Sequence, residues 1–153
     1  MIHIKEFFLG WIDQWGDLGL FLFSYFESII QPFPVDPIII AEVGAGFDPL
    51  RVVFWASLGT VLGALTAYFL GKYLGEPVFL KLFKKEYYEK GHVFFEKYGI
   101  WAIFIGAVSP LPFKVVAWLA GIFEMPIIPF FIMVFVGRVG RFVLVAYAVH
   151  LFV

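Results

Sequence analysis

The sequence predicts an all-α integral membrane protein built as an inverted repeat, each half a re-entrant helical hairpin followed by a transmembrane helix. Three observations lead there. First, 62% of the 153 residues are hydrophobic, mean hydropathy is +0.93 and only 15% are charged. That composition lies far from a soluble domain. Second, Pro32-Phe33-Pro34-Val35-Asp36 returns 78 residues later as Pro110-Leu111-Pro112-Phe113-Lys114, and Gly59 answers Gly137 at the same offset. Third, the apolar stretches fall into two length classes, one long enough to cross a bilayer and one too short. Two related halves carrying opposite charges at equivalent positions are the pattern of a transporter.

Leu18 to Ile30 is the first apolar stretch, and Val35 to Phe47 the second. The second is too short to span and is bounded by Pro32, Pro34 and Pro37 before it and by Gly44, Gly46 and Pro49 after it, which predicts a re-entrant hairpin. Leu50 to Leu74 runs for about 25 residues, enough for the roughly 30 Å hydrocarbon core, and is predicted to cross. Its Gly59, Gly63, Ala67, Gly71 and Gly75 recur every four residues, a flat ridge for close helix packing. The second hairpin is predicted from Tyr98 through Ser109-Pro110-Leu111-Pro112 to Gly121, and the second span from Pro126 or Pro129 to Val153. Irregular backbone survives at membrane depth only when shielded by protein or facing a watery cavity, so both Pro-x-Pro turns are expected inside and near each other.

With one crossing between the two turns, the halves, about 20–75 and 98–153, have opposite orientation. Six of the 11 basic residues, Lys72, Lys81, Lys84, Lys85, Lys90 and Lys97, lie around the joining segment 76–97, placing it in the cytoplasm. Its Val78, Phe79, Leu82, Phe83, Phe94 and Phe95 predict short amphipathic helices on the inner leaflet. The five tryptophans, Trp11, Trp15, Trp55, Trp101 and Trp118, include candidates for interfacial anchors. Acidic Glu6, Asp13 and Asp17 and the lack of a small-residue cleavage pattern read as mature protein instead of a signal peptide. The location read from this is the cytoplasmic membrane, multi-pass.

Several functions are set aside by composition. A net charge of -1 offers nothing to nucleic acid. There is no cysteine, and His3, His92 and His150 are too scattered for a metal site. Ser24, Ser28, Ser57 and Ser109 lack His–Asp partners at matching depth, and no phosphate-loop pattern is present, so no enzyme or cofactor is expected.

The charges inside apolar sequence carry the chemistry. An ionised side chain at mid-bilayer costs about 2.5–3.5 kcal/mol on insertion scales, so Glu27, Asp36, Glu42, Lys114, Arg138 and Arg141 need partners, water or protonation. Glu27 and Asp36 are the candidate proton carriers, because burial raises and a cation lowers a carboxyl pKa. Lys114, Arg138 and Arg141 are the candidate ligands for a phosphate-bearing head group, guanidinium being suited to oxyanions. Structural readings stand beside these: Arg138 and Arg141 pairing with Glu27 or Asp36, Asp36 capping a helix at Pro37, and Lys114 snorkelling. Pro32, Pro34, Pro110 and Pro112 form the expected hairpin turns.

The chain also resembles the DedA family, membrane proteins with the VTT or SNARE-associated domain, over roughly residues 20 to 150. The matching pieces are Phe26-Glu27 with the Pro-rich turn and Asp36; Gly59 through Tyr68, Gly71 and Gly75; Phe95-Glu96-Lys97-Tyr98-Gly99; and Gly106 through Pro110, Ala120-Gly121, Met125 and Gly137. Ser109-Pro110-Leu111-Pro112-Phe113-Lys114 is most similar to the short YqaA-like branch. The resemblance implies facing re-entrant hairpins flanked by spanning helices, and lipid transport: return of undecaprenyl phosphate in bacteria, phospholipid scrambling in eukaryotic relatives, with proton-coupling acids where Glu27 and Asp36 stand. Better-studied members have arginine after the glycine equivalent to Gly106, where this chain has Ala107, and another near Lys114.

The leading expectation is therefore a flippase- or scramblase-like lipid transporter whose partners are membrane lipid, its phosphate head group and protons. A proton- or cation-coupled exporter of small solutes is the first alternative. A non-transporting scaffold is the second, favoured if the glycine ridge dimerises. Homo-oligomerisation is left open by all three.

Overall fold

The computed structural model describes residues 17–29, 35–109 and 113–152. All its regular elements are helices: α1 (Asp17–Glu27), α2 (Asp36–Gly44), α3 (Pro49–Leu82), α4 (Lys85–Tyr98), α5 (Trp101–Val108), α6 (Phe113–Ile122) and α7 (Ile127–Phe152). Among the described residues, α3 and α7 are the two long and apolar enough to cross a membrane. Pro32, Pro34, Pro110 and Pro112 lie outside the described residues.

Local sequence sets the boundaries. Asp48 caps α3, its carboxylate accepting the Leu50 N–H at 3.2 Å, and Pro49 sits in the first turn, where its missing N–H costs nothing. The straight part of α3 ends at Gly75, whose φ of 72° and ψ of -164° are open essentially only to glycine, and 76–82 continues in a new direction. Gly99, at φ 59°, ends α4 in the same left-handed half of conformational space. The 78-residue offset survives folding: it carries the start of α2 to Lys114, and it carries 49–74, the straight part of α3, onto α7.

Close packing explains the glycines. A Cβ on Gly59 would collide with the Phe21 carbonyl and with Ser24, and one on Gly63 with the Tyr25 carbonyl, so α1 lies directly on α3. In the second half, a Cβ on Gly137 would lie against Ala107 and within 3.5 Å of the Phe104 carbonyl. Phe21 and Phe104 are 83 residues apart, because the first half has five more residues around its proline turn. A second contact repeats at the 78-residue offset: Gly71 of α3 meets Ile122 of α6, while Gly44 of α2 meets Val149 of α7. Each long helix thus packs on a short helix of the other half. The glycine ridge of α3 is consumed inside the chain, Gly59 and Gly63 by α1 and Gly71 by α6, with Gly75 serving as a turn. It is not the free dimerisation face that favoured the scaffold alternative.

The core has two apolar clusters. Leu20, Phe23, Val52, Val53, Ala56, Phe142 and Ala146 belong to one; Ile29, Val61, Ala64, Ala67, Phe130 and Val134 belong to the other. On α1 and α3 the chain passes from the first cluster to the second, whereas on α7 it passes from the second to the first. Between them lie Ser24, Glu27 and Ser28 of α1, Ser57, Gly59 and Thr60 of α3, and Gly137, Arg138 and Arg141 of α7. The protein interior therefore has a polar layer.

Two sequence expectations change here. Phe79 and Phe95, assigned to the inner leaflet, are buried against the second cluster, with Phe83 edge-on to Trp118 and Phe95 against Phe123. α6 covers part of the aromatic face of 76–98, keyed by Gly91, where a Cβ would strike Leu119, while Leu82 and Val93 stay exposed. Trp118 is 1% exposed and donates from Nε1 to the Ile29 carbonyl at 3.0 Å, so it is a core residue and no interfacial anchor. Trp101, 58% exposed, keeps that reading.

Candidate functional site

Four helices deliver charge to the polar layer. Glu27 ends α1, Asp36 begins α2, Lys114 stands in the first turn of α6, and Arg138 and Arg141 lie one turn apart on α7. Glu27, Asp36 and Lys114 stand at the ends of short helices that flank the proline-rich sequences, whereas Arg138 and Arg141 lie in the middle of α7. All five sequence-predicted site residues converge.

Arg138 is the most deeply placed, 4% exposed. Its Nη2 donates to both carboxylate oxygens of Glu27, at 3.2 and 3.4 Å, and its Nη1 reaches the Ala107 carbonyl at 3.5 Å. The guanidinium carbon also stands 4.7 Å from the Phe113 ring centroid and 5.1 Å from that of Phe142, within cation–π range of both. Arg141 donates to Asp36 Oδ2 from Nε at 3.0 Å and from Nη2, while its Nη1 donates to the Val108 carbonyl at 2.9 Å. The structural reading of the arginines, pairing with Glu27 and Asp36, is thus observed. Asp36 does not act as a cap: α2 starts at Asp36 itself and Val35 occupies the cap position without a side-chain bond.

The two ion pairs form one electrostatic unit. Glu27 feels Arg138, Asp36 and Lys114, and Arg138 feels Glu27, Asp36 and Arg141. Two atoms in the unit retain bonding capacity: Arg138 Nε, a donor, and Asp36 Oδ1, an acceptor, are buried without a hydrogen-bond partner among the described residues. Such a set can take up an anion with an ionisable oxygen and can hold or release a proton on a carboxylate.

The 78-residue relation makes the site asymmetric. Asp36 with Arg141 corresponds to Lys114 with Gly63, and Arg138 corresponds to Thr60. The first half thus supplies the two carboxylates, Glu27 and Asp36, and the second the three cations, Lys114, Arg138 and Arg141. Glu42 is buried at 6% exposed on α2 and interacts electrostatically with Arg51, away from the five. Arg51 pairs with Asp17 at 2.6 Å at the exposed start of α3. Sequence reading did not single out Ser24, Ser57 and Thr60 as part of the polar layer; their signal was position, level with Gly59 on α3 and one turn before Glu27 on α1. No cluster of three or more His, Asp or Glu side chains suited to a metal ion occurs among the described residues.

Comparison with known proteins bears on this arrangement. The VTT domain model matches residues 33–151. Protein MJ0201 of Methanocaldococcus jannaschii, itself uncharacterised, is 39% identical over 137 residues, covering 90% of this chain and 86% of that one. A Haemophilus influenzae protein is 30% identical over 127 residues, 80% of this chain and 66% of its own. Undecaprenyl phosphate transporter A of Staphylococcus aureus is 20% identical over 148 residues, covering 88% and 72%. No solved structure matches. Other relatives are named as membrane proteins, in agreement with the two long apolar helices. The chain is a membrane protein of the VTT-domain, or DedA, family.

Proposed function

We propose that this protein moves a phosphate-bearing lipid between leaflets of the cytoplasmic membrane, with protonation of Glu27 or Asp36 coupled to release of the head group. The observation that carries the reading is the five-charge unit gathered around Arg138, which is 4% exposed, with Arg138 Nε and Asp36 Oδ1 buried and lacking a hydrogen-bond partner among the described residues. Charge at that depth is costly, and a donor left unused beside it is where a phosphate oxygen can bind. Arg141, Lys114 and the spare Nε–H of Arg138 bind the phosphate oxygens, while the acyl chains stay in hydrocarbon.

The membrane arrangement follows the same proposal. α3 and α7 cross in opposite directions, as the reversed order of the two apolar clusters along them supports. At 11, 9, 8 and 10 residues, α1, α2, α5 and α6 are too short for a bilayer that needs about 20. They enter and return as two hairpins of an inverted repeat, multi-pass with the basic 76–97 segment in the cytoplasm. The substrate class is supported by the relative named as an undecaprenyl phosphate transporter. Competition for the guanidinium groups gives the coupling step. Head-group phosphate displaces Glu27 or Asp36 from its arginine, and the released carboxylate, now in an apolar setting without its cation, takes a proton.

Reconstitution into vesicles containing labelled phospholipid or polyprenyl phosphate tests the reading. Leaflet exchange faster than in empty vesicles, and acceleration or slowing by an imposed pH gradient, are expected. Exchange no faster than in empty vesicles across several phospho-lipids would remove the proposal.

A further inference from the structure

We infer that Ser24, Ser57 and Thr60 line a buried water-binding site that links the polar layer of α1, α3 and α7 to Glu27 and carries its proton. This deepens the transport reading and rests on it for the proton's purpose, though not for the water. Ser24 and Thr60 are fully buried and Ser57 is 7% exposed, yet none of the three hydroxyls has a hydrogen-bond partner among the described residues. Helical serine and threonine have an easy local solution, the carbonyl one turn back. Two neighbours use it: Ser28 Oγ donates to the Ser24 carbonyl at 3.1 Å, and Thr66 Oγ1 to the Leu62 carbonyl at 3.0 Å. Ser24, Ser57 and Thr60 do not, although each stands in a regular helix with such a carbonyl in reach.

Their placement is orderly. Ser57 and Thr60 are one turn apart on a single face of α3, exactly where its apolar residues change from the first cluster to the second. Ser24 abuts Gly59 from α1, at the same level of α3, and lies one turn from Glu27 on α1. Three orphan hydroxyls, the orphan Nε of Arg138 and the orphan Oδ1 of Asp36 all fall in this layer, and each is a donor or acceptor that water can satisfy. A hydroxyl both donates and accepts, so a row of them with water passes a proton without ionising. The charged groups facing the layer are Glu27, Asp36, Lys114, Arg138 and Arg141; Asp17, Glu42, Asp48 and Arg51 belong to the α2–α3 end of the molecule.

The chain has no cysteine, which makes the test direct. Ser57→Cys, Thr60→Cys and, as a dry control on the same face of α3, Ala64→Cys would each be reconstituted and exposed to silver ion and to a small water-soluble thiosulfonate. The proposal expects the first two to react at least about tenfold faster than the control, because reaction requires an ionised, hydrated thiol. Rates equal to that of Ala64→Cys overturn it. Thr60→Val provides a second reading that keeps the side-chain shape. A rise in melting temperature means that the hydroxyl was dry and overturns the site; an unchanged or lower melting temperature with slowed proton entry, restored in Thr60→Ser, supports it. Labelling at 57 and 60 in a protein that exchanges no lipid would leave the water site standing and remove transport. Exchange of lipid with 57 and 60 unreactive would do the reverse.

Discussion

Glu27→Gln isolates the energetic core of the site. The substitution keeps side-chain volume and one acceptor but removes the charge that faces Arg138 at 3.2 Å. Between charge centres about 4 Å apart, at an effective dielectric of about 20, the attraction is about 4 kcal/mol. Arg138 is 4% exposed and stands against Phe113 and Phe142, so little of that energy returns from solvent. Removing one member of a buried pair commonly costs about 3–5 kcal/mol, and the retained amide oxygen places Glu27→Gln toward the lower end, at about 3 kcal/mol. Denaturant unfolding in detergent micelles measures it. Pairing with Arg138→Gln completes a double-mutant cycle, in which the double variant should be less destabilised than the sum of the singles. Arg51→Gln, whose partner Asp17 shares exposed surface, serves as the comparison and should leave stability unchanged. If Glu27→Gln unfolds at the wild-type denaturant concentration, Arg138 does not depend on Glu27 and the buried unit described here is wrong.

Other substitutions address separate parts of the account. Gly121→Ala places a Cβ against the Tyr68 carbonyl, backbone that cannot turn aside, and should cost about 1–3 kcal/mol in the same unfolding assay. Trp118→Phe leaves the Ile29 carbonyl without its donor and should lose about 1 kcal/mol or somewhat more, with the fold retained by circular dichroism. Asp36→Asn removes the charge that holds Arg141 and is expected to slow lipid exchange in vesicles while the protein stays folded; exchange at the wild-type rate would move the proton role to Glu27 alone.

Much of this arrangement was legible in the sequence because membrane solvation leaves few solutions. A stretch such as 50–74 either spans or is buried, and charges such as Arg138 must be gathered, so offset, span and charge inventory pointed to the two long helices and to five charged residues that the structure brings together. Pairing was less legible. Glu27 with Arg138 depends on the five additional residues between Phe21 and Gly59, which slide α1 by more than a turn relative to the 78-residue frame; a repeat found by matching prolines and glycines alone cannot detect that slip. The aromatic face of 76–98 was legible only in part, for a different reason. An amphipathic helix presents the same periodicity to lipid as to a protein neighbour, and only the fit of Gly91 to Leu119 decides between them. Trp118 likewise has the composition of an interfacial anchor and the position of a core residue. Beyond their position near Gly59 and Glu27, the orphan hydroxyls carry no sequence signal, since Ser28 and Thr66 look identical to Ser24 and Thr60 until hydrogen bonds are traced.

The most direct test of the central claim is the exchange rate of a phosphate-bearing lipid in vesicles holding wild-type protein or Arg141→Gln, with a neutral lipid of the same chains measured alongside. Arg141 is partly exposed and bonded to Asp36, so the phosphate reading predicts at least a tenfold slowing, about 1.4 kcal/mol, for the phosphate lipid and little change for the neutral one. Equal rates for both proteins with the phosphate lipid, in folded samples, would contradict it.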